Sequence, residues 1–239
     1  MGGGGYPLGG AGYMPERLKR ADLLWLGLEF RSESFDVMGT DFKFDIARTA
    51  VLAMDCQAGI VSIYVQPQEE FLDRARSVLA AARKSGMTVI HVQVGFRPGL
   101  PEVSGRNTLF AALKSNPQHQ QLFVGPAGAI HPALGPEPED IVVTKHRVSA
   151  FAGTDLEMLL RAREIDTLAM FGIATSGVVL STLTEAFDLD LRVAVIGDCC
   201  ADRDAELHEA LLNKLFANRG VVLTAAEFVK LVENAQATA

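Results

Sequence analysis

Six short apolar runs, separated by segments with helical periodicity, constrain the fold of this chain more than any other feature of its sequence. The first run, TAVLAMD, is continuous and ends in an acid, as expected for a strand buried on both faces. The runs cover residues 49–55, 87–94, 140–145, 166–172, 192–198 and 220–224. Strands that alternate with helices predict right-handed crossovers, and therefore an α/β domain with a six-stranded parallel sheet between two helical layers, in a Rossmann-like topology.

The segments between the runs carry helix and loop signals. Residues 69–85 place apolar side chains on one helical face, and Gly86 follows where a left-handed C-terminal cap belongs. TDLE (154–157) and TAAE (224–227) have the form of capping boxes, which predicts a helix start at each. Residues 95–139 are rich in proline and glycine and predict a long loop of the kind that covers a site or an interface.

The N-terminal part of the chain lacks this alternation of strand and helix patterns. Residues 1–13 are glycine-rich and predict a flexible N-terminus, because glycine has the most backbone entropy to lose on ordering. Residues 14–48 contain the apolar LLWLGLEF segment without a sustained period, and predict an arm that packs on the main domain or on a second subunit. The main domain is expected to span residues 49–235.

Charge and cysteine content exclude several classes of partner. The net charge of −7 and the absence of a dense Lys/Arg run argue against nucleic acid and anionic membranes. No apolar stretch approaches the ~18 residues that a membrane span needs, and the N-terminus does not have the form of a secretory signal. Three cysteines are too few for a disulfide scaffold and favour a reducing, cytoplasmic location.

Polar side chains are predicted at the carboxyl ends of the strands, where ligands bind in parallel sheets. Asp55 ends the first run, Lys145 ends the third and Asp198 ends the fifth. An acid beside an ammonium can relay a proton to a third group in a dry pocket. The alternatives are that Asp55 caps a helix or anchors a loop, and that Lys145 is a solvated charge. The chain has no glycine-rich dinucleotide or phosphate-loop motif, so no nucleotide cofactor is expected.

Four segments of the sequence resemble the isochorismatase-like cysteine hydrolases. The resemblance extends from about residue 48 to residue 230, and the four motifs occur in the family's order, each at a strand end. The segments are LAMDCQAGIV (52–61), VTKHRVSAFAGTDLEMLL (143–160), LAMFGIATSGVVLSTLTEAFDLD (168–190) and VIGDCCAD (195–202). The resemblance implies the fold expected above, assembled as a homodimer or homotetramer.

The resemblance also implies roles for individual residues. Asp55 matches the family's catalytic acid/base, and Lys145 matches its catalytic lysine. The family often has a non-proline cis peptide in the turn after the fourth strand, which would fall here between Ile173 and Ala174. The backbone N–H groups of this turn, through Thr175 and the start of the next helix, would then form an oxyanion hole.

The chain departs from the family at the nucleophile. The cysteine hydrolases have their catalytic cysteine where this chain has Val178, and valine offers no lone pair for a covalent intermediate. Ser176 and Ser181 lie nearby, but they are offset along the helix entrance, where serine usually acts as a cap. Strand alternation directs Cys56 to the opposite face from Asp55. The remaining cysteines, Cys199 and Cys200, are most simply interpreted as small buried hydrophobes.

The metal-binding branch of the family has histidines and an acid after its second strand. The corresponding segment here, HVQVGFRPG (91–99), lacks the second histidine, so no catalytic metal is expected. His91 is interpreted instead as a core or rim histidine that hydrogen-bonds to the backbone.

The isochorismatases proper provide a precedent for hydrolysis without a thiol. They cleave a vinyl ether by protonating carbon from the strand-one acid, and they have glycine at the cysteine position. Val178 is larger than glycine, which argues against isochorismate itself as the substrate. Arg147 could hold a substrate carboxylate bidentately and Phe151 could wall the pocket, or the two could be a surface arginine and a core phenylalanine.

Two functions are compatible with these residues. The first is a hydrolase that acts on a vinyl ether or amide-type bond of a small molecule by Asp55/Lys145 acid–base catalysis, without a cysteine nucleophile. The second is a catalytically inactive member of the fold that binds a small molecule or a partner protein. The retention of Asp55, Lys145 and the GIAT turn favours the hydrolase.

Overall fold

A computed structural model describes residues 42–237 of the chain. The predictions for residues 1–13, and for the 14–48 arm up to residue 41, lie outside these described residues. The strands are β1 (Thr49–Met54), β2 (Thr88–Val94), β3 (Ile141–Lys145), β4 (Thr167–Gly172), β5 (Arg192–Ile196) and β6 (Val221–Leu223). They form one sheet in the order β3-β2-β1-β4-β5-β6, and every neighbouring pair is parallel. The predicted six-stranded parallel α/β fold is confirmed.

Nine α-helices connect and flank these strands within the described residues. They are α1 (Ala58–Tyr64), α2 (Gln68–Ser85), α3 (Thr108–Ser115), α4 (Pro117–Gln120), α5 (Gly125–Gly128), α6 (Leu156–Ala162), α7 (Leu180–Asp188), α8 (Ala205–Ala210) and α9 (Ala225–Ala237). Two π-helical turns, Thr175–Val179 and Leu211–Leu215, precede α7 and follow α8. None of the helices in this part of the chain is long and apolar enough to cross a membrane.

The core is built on the two central strands. Every residue of β1 and β4 is buried, as the continuous apolar runs predicted, whereas the edge strand β3 exposes alternate residues. Helix α2 buries the apolar stripe predicted for it and packs against α9. It ends at Gly86, whose φ of 86° confirms the predicted left-handed cap.

One of the two predicted capping boxes is present. Thr224 and Glu227 exchange hydrogen bonds in both directions at the start of α9, as the TAAE motif predicted. At α6 the predicted helix is present, but it begins at Leu156 with Asp155 as its N-cap residue, and the Asp155 side chain makes no capping bond. The Thr154 hydroxyl accepts a hydrogen bond from the N–H of Leu156, as a capping threonine does, and it donates to the carbonyl of Ala150.

The predicted loop 95–139 has its own structure. It contains α3, α4 and α5, and a small apolar cluster formed by Leu100, Val103, Phe110 and Leu113. These helices are short, so the prolines and glycines around them dominate the sequence pattern.

The described end of the N-terminal arm lies on the main domain. Phe44 is buried and packs edge-on against Phe228 of α9, with ring centroids 5.2 Å apart. The guanidinium of Arg192 lies 4.6 Å from the centroid of the Phe42 ring. These contacts join the residues that precede β1 to β5 and α9.

Candidate active site

The candidate site begins at Asp55, directly after the central strand β1. Its N–H donates to the carbonyl of Val92 in β2 at 2.8 Å, so the residue is held at the carboxyl end of the sheet. Asp55 has a φ of 56°, in the left-handed region that aspartate adopts more readily than most residues. This conformation turns the chain sharply where β1 ends and α1 is about to begin.

Lys145, the last residue of β3, reaches the same point. Its Nζ lies 2.9 Å from Oδ2 of Asp55, although β2 separates the two strands in the sheet. Both residues are buried, with 5% of Asp55 and 2% of Lys145 exposed. Nζ also donates to the carbonyl of Arg147 at 3.0 Å. The two predicted site residues therefore lie within hydrogen-bonding distance of each other.

The two carboxylate oxygens of Asp55 have different surroundings. Oδ2 accepts from Lys145, whereas Oδ1 is buried and has no hydrogen-bond partner among the described residues. Burial raises the pKa of Asp55, and the neighbouring ammonium offsets only part of that effect. The site thus holds a carboxyl group that is easier to protonate than an exposed aspartate, and one of its oxygens has no partner among the described residues.

The turn after β4 approaches the same edge of the sheet. The N–H of Ile173 donates to the carbonyl of Met54 at 3.2 Å, next to Asp55. Gly172 has a φ of 153°, and any side chain there would collide with the Met54 carbonyl, so this close approach requires glycine. The peptide bond between Ile173 and Ala174 is cis, as expected from the resemblance.

Three positions in this turn bear on the expected oxyanion hole and nucleophile. The N–H of Ala174 has no acceptor among the residues that the structure describes, whereas the N–H of Thr175 donates to the carbonyl of Ala201 at 2.9 Å. Val178 lies in the π-helical turn and is 2% exposed. An apolar side chain therefore occupies the position where the resemblance implies a cysteine.

Two side chains that contact this turn were not identified from the sequence. Asp202 accepts a hydrogen bond from the N–H of Ser176 at 2.7 Å, and Nδ1 of His208 lies 2.8 Å from the Thr175 hydroxyl. Asp202 belongs to the quoted VIGDCCAD motif, but His208 lies in a helix with no motif, so only the tertiary structure reveals its contact.

The predicted substrate-binding residues have partners of their own. The Arg147 guanidinium donates to the carbonyls of His146 and Glu102, which joins β3 to the 95–139 segment. Phe151 is buried in the main core. Neither contact tests whether Arg147 and Phe151 touch a substrate, so their role stays a prediction.

The three thiols are buried near the carboxyl ends of β1 and β5. Cys56, Cys199 and Cys200 are all buried, and burial raises the pKa of each, that of Cys200 to about 12. The Cys56 thiol points to the carbonyl of Met54. All three are therefore protonated at neutral pH and poor nucleophiles.

His91 has a different partner from the one predicted. Its Nε2 lies 3.1 Å from Oδ2 of Asp140, so the expectation of a backbone partner is wrong. The cause is topological, because Asp140 directly precedes β3 and β3 pairs with β2. Within residues 42–237, no group of three or more His, Cys, Asp or Glu side chains has an arrangement that could hold a metal ion.

Comparisons with known proteins show what the chain is similar to. A family model described as an isochorismatase domain matches residues 49–227. An uncharacterized isochorismatase family protein of Bacillus subtilis is 32% identical over 203 residues, which cover 82% of this chain and all of the relative. A maleamate amidohydrolase of Pseudomonas putida is 28% identical, over 74% of this chain and 83% of that protein.

A solved structure has the same fold. The crystal structure of a cysteine hydrolase from Pseudomonas syringae pv. phaseolicola superposes with a TM-score of 0.72 at 23% identity. The superposition covers 82% of this chain and 97% of the other.

Proposed function

The chain belongs to the isochorismatase family, a family of hydrolases, and from this premise we propose that it hydrolyses a small molecule by Asp55/Lys145 acid–base catalysis without a cysteine nucleophile. The observation that carries the proposal is the buried Asp55–Lys145 pair, whose free Oδ1 has no partner among the described residues. A purely structural ion pair would be expected to satisfy both oxygens. The bond cleaved is of the amide or vinyl ether type.

For an amide, Asp55 acts first as a base and then as an acid. The carboxylate takes a proton from water as the water oxygen attacks the carbonyl carbon. The resulting oxyanion accepts a hydrogen bond from the free N–H of Ala174, which is preorganised in the turn. Asp55 then returns the proton to the leaving nitrogen, and the C–N bond breaks to release an acid and an amine. The amidohydrolase among the relatives supports this bond type.

For a vinyl ether, Asp55 acts first as an acid. Its protonated carboxyl, which burial favours, donates to the terminal carbon of the double bond. Water adds to the resulting oxocarbenium carbon and returns a proton to Asp55. The hemiketal then collapses to a carbonyl compound and an alcohol. Either route uses water where a cysteine enzyme would use its thiol, because Val178 has no lone pair to contribute.

The remaining residues recognise and enclose the substrate in this proposal. Arg147 uses its guanidinium in two bonds to backbone carbonyls, and its other N–H groups bind a substrate carboxylate. Phe151 walls the pocket. The protein is expected to act as a homodimer or homotetramer in the cytoplasm, with no cofactor.

A panel of small amides and enol ethers tests the proposal on the purified protein. We expect turnover of at least one compound that carries a carboxylate, and loss of that turnover in Asp55→Asn. If the panel shows no turnover while a small carboxylate still raises the melting temperature, the chain is a binding protein and the catalytic proposal is wrong.

A further inference from the structure

The turn between β4 and α7 is held by two side chains that the proposed chemistry does not use. Oδ2 of Asp202 accepts from the N–H of Ser176, and Nδ1 of His208 lies 2.8 Å from Oγ1 of Thr175. Hydrogen bonds from Ser176 also help to lower the pKa of Asp202 against the opposing effect of burial, so its carboxylate stays charged. The segment after β5 therefore anchors the turn through side chains as well as through the backbone.

The contact between Thr175 and His208 lies at the centre of this arrangement. Thr175 is fully buried, and His208 is the one hydrogen-bond partner of its hydroxyl among the described residues. A buried hydroxyl without a partner is costly, so the imidazole determines which way the Thr175 side chain points. Thr175 directly follows Ala174, and it opens the π-helical turn that contains Val178.

We propose that His208 is a positioning residue for the active site. Its imidazole holds the Thr175 hydroxyl and so sets where the Ala174 N–H and Val178 lie relative to Asp55 and Lys145. The consequence for catalysis rests on the proposed function, whereas the contact itself belongs to the fold.

A purely structural role for His208 is the alternative to be tested. Helix α8 is short and none of its residues is fully buried, so His208 could serve only to attach that helix. The two roles differ in which amides become exposed when the contact is lost. If His208 positions the turn, the amides of Thr175 and Val179, which donate to Ala201 and Ala174, lose protection. If it only attaches α8, the amides of that helix lose protection instead.

Amide hydrogen exchange on the full-length protein distinguishes them. Three variants are compared with the wild type: His208→Leu and Thr175→Val remove the contact, and His208→Asn retains a hydrogen-bonding group at the Nδ1 position. We expect the Thr175 and Val179 amides to exchange about tenfold faster in the first two, as for the loss of one buried hydrogen bond. We expect no change in His208→Asn, and no further increase when His208→Leu and Thr175→Val are combined.

The proposal is overturned if faster exchange in His208→Leu is confined to residues 205–210, or if His208→Asn behaves like His208→Leu. Exchange needs no substrate, so this result is independent of the proposed function, whose failure would appear separately as absence of turnover by the wild-type protein.

Discussion

Two buried carboxylates in this domain each contact a cationic side chain, but their pKa values shift in opposite directions. Asp55 stands at the carboxyl end of β1, paired with Lys145, and its Oδ1 is without a partner among the described residues. Asp140 stands at the amino end of β3, and its side chain is 3% exposed. It accepts hydrogen bonds from Arg83, His91 and the N–H of Glu137, so both of its oxygens are satisfied.

The pKa values follow from this difference. Burial acts against ionisation of both carboxyls, but at Asp140 the bonds from Arg83 and from the Glu137 N–H outweigh it, and the pKa is lowered. At Asp55 the single lysine does not outweigh burial, and the pKa is raised. A buried carboxyl that lacks hydrogen-bond partners destabilises a fold, but it can take part in catalysis. We therefore expect the Asp140 cluster to stabilise the domain and Asp55 to be available for chemistry.

The largest expected difference between the two carboxylates is in the kcat and melting temperature of the variants that lack them. Asp55→Asn should lower kcat on any substrate found by about 10²–10⁴-fold, because an amide neither accepts nor donates the required proton. Asp140→Asn is the matched control: it should leave kcat near the wild-type value while lowering the melting temperature. Steady-state kinetics and thermal unfolding of the two variants measure both effects. Equal losses of kcat in both would abolish the distinction between the two clusters.

A thiol placed at the turn should behave differently from the three native thiols. If the proposed site is right, Val178→Cys should be alkylated by iodoacetamide about 100-fold faster than Cys56, Cys199 or Cys200, because the Lys145 ammonium would favour its thiolate. The activity of the wild-type protein should resist the same treatment. Mass spectrometry locates the modified residue.

Two outcomes would contradict this prediction. A wild-type activity that is lost on alkylation of Cys199 or Cys200 would place the chemistry at the end of β5 instead. An inert thiol at position 178 would show that its burial, rather than Lys145, decides the reactivity of a thiol there.

The sequence predicted the Asp55 region more completely than the Asp140 cluster, and the reason is physical. Strand ends in a parallel sheet meet at one edge, so a residue that ends an apolar run can be assigned to that edge from the pattern alone. Asp55 and Lys145 were identified in this way. Asp140 precedes its strand, and its partners Arg83 and His91 come from a helix and a strand interior, so no local pattern connects them.

Contacts of the turn between β4 and α7 were likewise only partly predictable from local sequence patterns. The cis bond before Ala174 was expected from a motif, whereas the contact of His208 with Thr175 depends on how α8 is placed after β5. Such contacts between distant segments follow from packing, which periodicity does not encode.

Removing the cationic partner should raise the pKa values of the two carboxyls by unequal amounts. In Lys145→Met, Asp55 loses the one side-chain donor that it has among the described residues, and its pKa should rise further by about 1–3 units. In Arg83→Met, Asp140 keeps His91 and the Glu137 N–H, and its pKa should rise by less. Infrared spectroscopy of the protonated carboxyl band against pH measures both shifts. A larger rise at Asp140 would mean that Arg83 alone satisfies that cluster.

The smallest expected effect is a difference in how stability depends on pH. The lowered pKa of Asp140 means that its contribution is present above the unfolded-state value of about 3.9 and is lost as the pH falls through the folded-state value. The raised pKa of Asp55 means that its contribution is present below about 3.9 and is lost as the pH rises through the folded-state value. The destabilisation caused by Asp140→Asn should therefore grow as the pH rises from 3, whereas that caused by Asp55→Asn should shrink. Each slope is at most about 1.4 kcal/mol per pH unit for a single proton. Urea unfolding from pH 3 to pH 8 measures these slopes, and slopes of the same sign would show that the two carboxyls do not differ as their hydrogen bonds imply.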